Sequence, residues 1–87
     1  MKRKSKLLGP VLGKVGERLQ ELRKRKGYDT IKDFAIDYNL PPVQYWRIEK
    51  GKSNLTVSTL MRLMHIHNMT IEDFFCLLKS GRRVKAK

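Results

Sequence analysis

Two adjacent prolines and the residues around them constrain this chain more than its composition does. The stretch from Ile31 to Gly51 reads IKDFAIDYNLPPVQYWRIEKG. Pro41 and Pro42 cannot continue a helix from upstream, because each lacks an N–H and its ring collides with the preceding turn. Pro42 nevertheless suits the first turn of a new helix, where a missing N–H costs nothing. Pro41 offers no side-chain oxygen, so that helix starts without the usual cap. Ahead of the prolines, Asn39 is the non-glycine residue best able to take the left-handed conformation at a helix end, and Leu40 can plug a core from the turn. Thr30 is a good N-cap, and Asp33 three residues later completes a capping-box-like pattern with the shorter acid. Gly51 is a stop. The spacing predicts a short helix over 31–38, a tight turn, and a second short helix over 42–50.

The apolar residues agree with that geometry. Ile31, Phe34, Ala35 and Tyr38 form an inner stripe on the first of these helices, and Ala35 is short enough to let two helices cross closely. Tyr45 and Ile48, three apart, belong inside on the second. Gln44 and Arg47 are also three apart, one position earlier and so on the neighbouring face. One stripe holds the second helix to the protein while another is left outward, the arrangement of a helix-turn-helix whose second helix enters the major groove of duplex DNA.

Flanking elements complete an all-helical pattern. Val15, Leu19 and Leu22 predict a helix over 14–26 ended by Gly27, with Glu21 spaced to pair with Arg25; Gly9, Pro10 and Gly13 are expected to interrupt any earlier helix. Thr56 caps a helix over 57–67 with Leu60, Leu63 and Met64 inward and Ile66 flanking, and Asn68 ends it. Thr70 and Asp73 repeat the cap pattern before a helix over 71–78, with Ile71, Phe74, Phe75 and Leu78 inward. No long alternating stretch suggests a sheet. The expectation is one all-α domain of five helices over 14–78, a basic arm over 1–13 and a frayed basic tail over 79–87.

Charge points to a polyanionic partner. The chain has twenty Lys and Arg against eight Asp and Glu, a net charge of +12. Residues 1–26 carry ten of these bases and two acids, and 79–87 carry five bases and no acid, whereas 28–78 is nearly balanced with five bases and six acids. Attraction to DNA therefore comes mainly from the two ends. The longest apolar runs are too short for a membrane span or for the core of a signal peptide, so a cytoplasmic protein is expected. A single cysteine, Cys76, excludes an internal disulfide; within FFCLL it reads as a buried thiol.

Other chemistry finds little footing. His65 and His67, two apart on a helix, face different ways, and no zinc spacing is satisfied. No phosphate-binding glycine loop or nucleophile–base–acid set is present. Asp29, Asp33 and Asp37 are four apart and read as a solvated helix face rather than a metal-dependent nuclease centre. Met61, Met64 and Met69 read as packing filler. No enzyme activity, cofactor, metal or small-molecule ligand is expected. Arg47 can donate a bidentate pair to guanine, a contact that discriminates by roughly 1–3 kcal/mol, and Gln44 can read adenine with its amide. Tyr45 and Trp46 are adjacent and cannot both face the core; Tyr45 aligns with Ile48, which leaves Trp46 partly exposed and better suited to packing than to base contact.

The segment from about Val15 to Leu78 resembles the Cro/C1-type, or XRE-like, helix-turn-helix family. The resemblance is carried by LRKRKG at 22–27, FA at 34–35, Asn39 and Leu40 in the turn, RIEKG at 47–51, STL, and MTIEDFF at 69–75. It implies a five-helix, lambda-repressor-like fold. It also implies that Glu49 pairs with a base near the end of the first helix, Lys24 or Arg23, and so locks the recognition helix in place. Lys50 and Lys52 match positions that meet a phosphate after that helix, and Lys32 is grouped with them. Two departures stand out. Ile31 occupies a place where many members carry glutamine against the DNA backbone. Pro41, Pro42 and Val43 replace polar residues, so Pro42 and Val43 can offer base edges mainly apolar contact, for example with thymine methyls.

The partner implied is double-stranded DNA, bound by a homodimer across two half-sites one helical turn apart, with the chain acting as a small bacterial or phage-type transcriptional repressor. An antitoxin that also represses its own operon is a second possibility, although the residues after Leu78 are short and polar for gripping a toxin. A third, of another class, is a protein-interaction module that no longer contacts DNA; Trp46 and the prolines favour it, and the basic ends oppose it.

Overall fold

A computed structural model describes residues 8–80, which form five α-helices in two compact units that meet at Leu55–Thr56. The first unit contains α1 (Leu8–Arg25), α2 (Ile31–Asp37) and α3 (Pro42–Glu49); the second contains α4 (Val57–His67) and α5 (Ile71–Ser80). No strand occurs among the described residues. The expected single domain over 14–78 spans both units. The basic segments 1–7 and 81–87 lie outside the described residues.

Helix α1 begins at Leu8, six residues before the expected start. Pro10 is the third residue of the helix, where backbone N–H groups have no partner within the helix, so its ring removes no hydrogen bond. Gly13 and Gly16 sit within the helix despite a propensity cost of about 1 kcal/mol each. Packing outweighs that cost. A Cβ on Gly16 would lie within 2.1 Å of the Glu49 carbonyl oxygen, and one on Gly51 would lie 3.0 Å from the Gly13 Cα. The C-terminal end of α3 thus presses on α1 at backbone distance, which only glycine permits.

The caps repeat a small set of devices. The Thr30, Thr56 and Thr70 hydroxyls accept from the Asp33, Thr59 and Asp73 backbone N–H groups, and Asp73 reaches back to the Thr70 N–H. Helices α1 to α4 are followed by residues with positive φ: Gly27, Asn39, Gly51 and Asn68. In each case the next residue donates its N–H five residues back, Tyr28 to Arg23, Leu40 to Ala35, Lys52 to Arg47 and Met69 to Met64. These are Schellman closures, which satisfy the last carbonyls and turn the chain sharply.

In the first unit Leu12, Val15, Leu19, Phe34, Ala35, Leu40, Tyr45 and Ile48 are buried. Phe34 lies at the centre of an aromatic group, 5.4 Å from Tyr28, 5.0 Å from Tyr38 and 5.2 Å from Tyr45 between ring centroids. In the second unit Leu63, Met64, Phe74 and Leu77 are buried. Two expectations for α5 are corrected: Phe75 is half exposed, with Leu77 inward in its place, and Cys76 is exposed. FFCLL is apolar throughout, so periodicity could not choose its face; the helix centres that face on Phe74 and Leu77. Glu21 also differs, its carboxylate bonding Arg18 at 2.7 Å rather than Arg25.

Candidate nucleic-acid interface

Helix α3 is fixed from behind by a buried ion pair. Leu12, Gly16, Leu19 and Arg23 follow one another at spacings of four, three and four, a single face of α1. At the end of that face the Arg23 Nε donates to Glu49 Oε2 at 2.7 Å and its Nη2 to Glu49 Oε1 at 3.1 Å, while Nη1 donates to the Tyr28 carbonyl at 2.9 Å. The two side chains are 4% and 1% exposed. One planar guanidinium therefore joins the end of α1, the loop before α2 and the end of α3, a geometry a lysine ammonium could not reproduce. Hydrogen bonding to Glu49 raises the Arg23 pKa further above its ordinary value. Lys24, the alternative partner, is exposed. One residue further along the helix, it has rotated about 100° off the inward face. Tyr45 is buried beside this pair without a hydrogen bond for its hydroxyl; burial first, and the Glu49 carboxylate second, push its pKa upward.

With Tyr45, Ile48 and Glu49 inward, Pro42, Val43, Gln44, Trp46, Arg47 and Lys50 are exposed. Gln44 and Arg47 share one outward strip of α3. Val43 and Trp46 form the strip beside it, 69% and 43% exposed. The Lys50 ammonium stands 5.9 Å from the Trp46 ring centroid, in cation–π range. Lys52, just past the Gly51 turn, is exposed and anchored by its N–H to the Arg47 carbonyl. Lys32 is exposed in the first turn of α2. The outward surface of α3 thus combines hydrogen-bonding side chains and cations with a large apolar area.

That apolar area is a shallow groove of about 460 Å³ between α2 and α3, lined by Ile31, Lys32, Ile36, Pro42, Val43 and Trp46. Ile36 is 59% exposed. Sequence reasoning noticed Ile31, Pro42, Val43 and Trp46 singly but missed Ile36 and the groove. It also missed Gly16; the Gly13–Gly16 spacing, one helical turn on α1, was the available signal. Acidic groups lie elsewhere: Asp37 accepts from the Tyr28 hydroxyl at 2.8 Å, and Glu49 is taken by Arg23. The bond to Asp37 raises the Tyr28 pKa to about 12. Among the described residues no group of three or more His, Cys, Asp or Glu could hold a metal ion, and no helix is long and apolar enough to cross a membrane.

Two short helices joined through a left-handed Asn39, the second clamped inward and exposed along its outer strips, define a helix-turn-helix DNA-binding protein. Residues 18–79 match the model of the Cro/C1-type HTH DNA-binding domain, and the chain belongs to that family. Among solved structures it is similar to a point mutant of the restriction-modification controller protein C.Esp1396I, at 30% identity and a TM-score of 0.67, covering 79% of this chain and 91% of that one. No curated protein matches significantly. The chain is a DNA-binding transcription regulator and not an enzyme.

Proposed function

We propose that the chain is a sequence-specific repressor of small bacterial or phage type that binds a palindromic duplex site as a homodimer. The observation carrying this reading is the clamped recognition helix: Arg23 and Glu49 fix the back of α3, which leaves Gln44 and Arg47 exposed on one strip of its front. In this reading Gln44 and Arg47 bond base edges, Pro42 and Val43 make apolar contact with them, and Lys32, Lys50 and Lys52 hold phosphates. Half-exposed Phe75 on α5, with Val57 and Met61 outward on α4, supplies apolar surface of the kind a homodimer covers. The groove between α2 and α3 gives a second reading its one support: a protein-interaction module that no longer binds DNA.

Selection of bound sequences from random duplexes, followed by affinity measurement on the selected site and a scrambled duplex, separates the two. Gln44→Ala and Arg47→Ala are expected to relax preference at their own base pairs. Lys50→Ala and Lys52→Ala are expected to weaken both duplexes about equally and to flatten the salt dependence by about one unit of slope each. Equal losses on both duplexes for Gln44→Ala and Arg47→Ala would reduce these residues to positioning roles. A folded protein that binds no duplex at low salt would leave the interaction module standing.

A further inference from the structure

We infer that Trp46 is a positioning residue for DNA binding: its indole ring holds the Lys50 ammonium at the end of α3, where that cation meets a backbone phosphate. This role rests on the DNA-reading assignment above and gives Trp46, which reads no base, a part in it. Val43, Trp46 and Lys50 follow one another at spacings of three and four, a single outward strip of the helix. On that strip the Lys50 Nζ lies 5.9 Å from the Trp46 ring centroid, and both residues are exposed.

The chemistry of the holding group decides what the cation can still do. A lysine side chain is long and flexible, and fixing it in one arrangement costs conformational entropy. A carboxylate could fix the ammonium, but it would cancel the charge that a phosphate needs. An aromatic face attracts a cation through its quadrupole and leaves the net charge in place, and the indole does this best. The ring covers one side of the ammonium, so N–H donors on the other side stay open to a phosphate oxygen.

Nearby acids do not compete for the cation. Glu49, the neighbour of Lys50 in sequence, is turned inward and taken by Arg23, and among the described residues no carboxylate forms an ion pair with Lys50. The ring itself has support, since Trp46 lines the groove that Ile31 and Ile36 of α2 share with Pro42 and Val43. Lys52 makes the contrast. It is exposed beyond the Gly51 turn, and among the described residues no aromatic face lies under its ammonium. Of the two lysines assigned to phosphates after the recognition helix, Lys50 is in place before DNA arrives and Lys52 must be ordered by it.

The test is a pair of double-mutant cycles on the full chain, read as affinity for a selected duplex and for a scrambled one. Lys50→Met keeps the stem and removes the charge; Trp46→Leu keeps an apolar side chain and removes the ring. Trp46, Lys50 and Lys52 are all exposed, so the fold survives these changes, and urea midpoints check it. Trp46→Leu is expected to cost about two- to fivefold more affinity when Lys50 is present than in the Lys50→Met background, on both duplexes alike. Trp46→Phe, which keeps a weaker ring, is expected to lose less. Trp46→Leu crossed with Lys52→Met is expected to give additive losses. Trp46 is the chain's one tryptophan, so Lys50→Met is also expected to change the fluorescence of the free protein, and Lys52→Met to leave it unchanged. An equal Trp46→Leu loss in both Lys50 backgrounds would overturn the positioning role and make Trp46 a packing residue. Equal coupling to Lys50 and Lys52 would overturn it too, as a disturbance of the whole helix end. Unchanged emission in Lys50→Met would overturn it by showing that ring and ammonium do not meet in solution. A wild-type chain that binds both duplexes equally would bring down the repressor reading while the cycles still judged Trp46, because phosphate contact is blind to sequence. A folded chain that binds neither duplex would end both.

Discussion

The two sides of α3 carry each other's usual contents. Its inward side buries a charged pair, Arg23 with Glu49, while its outward side exposes Val43 and Trp46 beside Ile36 of α2. In most small domains charge faces water and aliphatic side chains face the core. The difference shows what each side is for. A bidentate ion pair holds α3 at one distance and rotation, because its hydrogen bonds are directional where a methylene contact is not. Exposed carbon on the front weakens the case for stability and strengthens the case for recognition. The back of the helix should therefore govern stability, and the front should govern binding alone.

The largest expected effect breaks the back. Glu49→Ala strands a guanidinium that is 4% exposed, and unpairing a buried ion of this kind costs about 3–5 kcal/mol. Urea denaturation measures it, and a loss under about 1 kcal/mol would reclassify the pair with exposed bridges. Arg23→Met combined with Glu49→Leu should recover most of the loss, since apolar pairs often replace buried ion pairs at little cost.

Gly16→Ala comes next, and its sign is the sharper result. In an ordinary helix the change would stabilise by about 1 kcal/mol. Here the added carbon would stand 2.1 Å from the Glu49 carbonyl oxygen, and forcing backbones apart costs about 1–3 kcal/mol. Gly13→Ala is the control, because a Cβ there meets nothing within 4 Å; it should be neutral or mildly stabilising. If both variants gain stability, α1 and α3 are not in backbone contact.

These glycines mark where the sequence stopped being legible. Caps and stops are local chemistry, so Thr30, Asn39, Gly51, Thr56, Asn68 and Thr70 placed α2 to α5 to within two residues of their ends. Gly13 and Gly16 are read locally as breakers, but for Gly16 the backbone contact with Glu49, more than thirty positions away, reverses that meaning. Choosing Arg23 over Lys24 likewise required knowing which way α1 faces α3. For α5 the run FFCLL had no polar residue to set its rotation, hence the exchange of Phe75 for Leu77. Base-reading candidates were visible as polar residues offset from a buried stripe, whereas the groove was not, since Ile36 enters it only when α2 and α3 are side by side.

The front of α3 supplies the third expectation, an absence of effect. Val43→Ser and Ile36→Ser alter side chains that are 69% and 59% exposed, and surface substitutions of this kind stay within about 0.5 kcal/mol. Urea midpoints should match the wild type while duplex affinity falls. A loss of stability comparable to that of Gly16→Ala would mean that this surface is part of a core, and the contrast between the two sides would fail.

Tyr28 links the two regions and gives the smallest expected effect. Its carbonyl accepts from Arg23, within the buried lock, and its hydroxyl donates to Asp37 at the end of α2. Only the neutral phenol can donate, and the bond to Asp37 raises its pKa from 10 to about 12. The folded state thus holds the proton more tightly than the unfolded chain. The associated stabilisation is fully present below pH 10 and is lost as pH rises through about 12. Phenolate absorbance of the wild type minus that of Tyr28→Phe should titrate near 12. Thermal unfolding of the wild type should lose, between pH 10 and 12, an advantage that Tyr28→Phe never had. A difference titration centred at 10 would show that the Asp37 bond is not kept in solution. The lock would then end at the Tyr28 carbonyl, and the aromatic packing of Tyr28 against Phe34 and Tyr38 would carry more of the hold on α2.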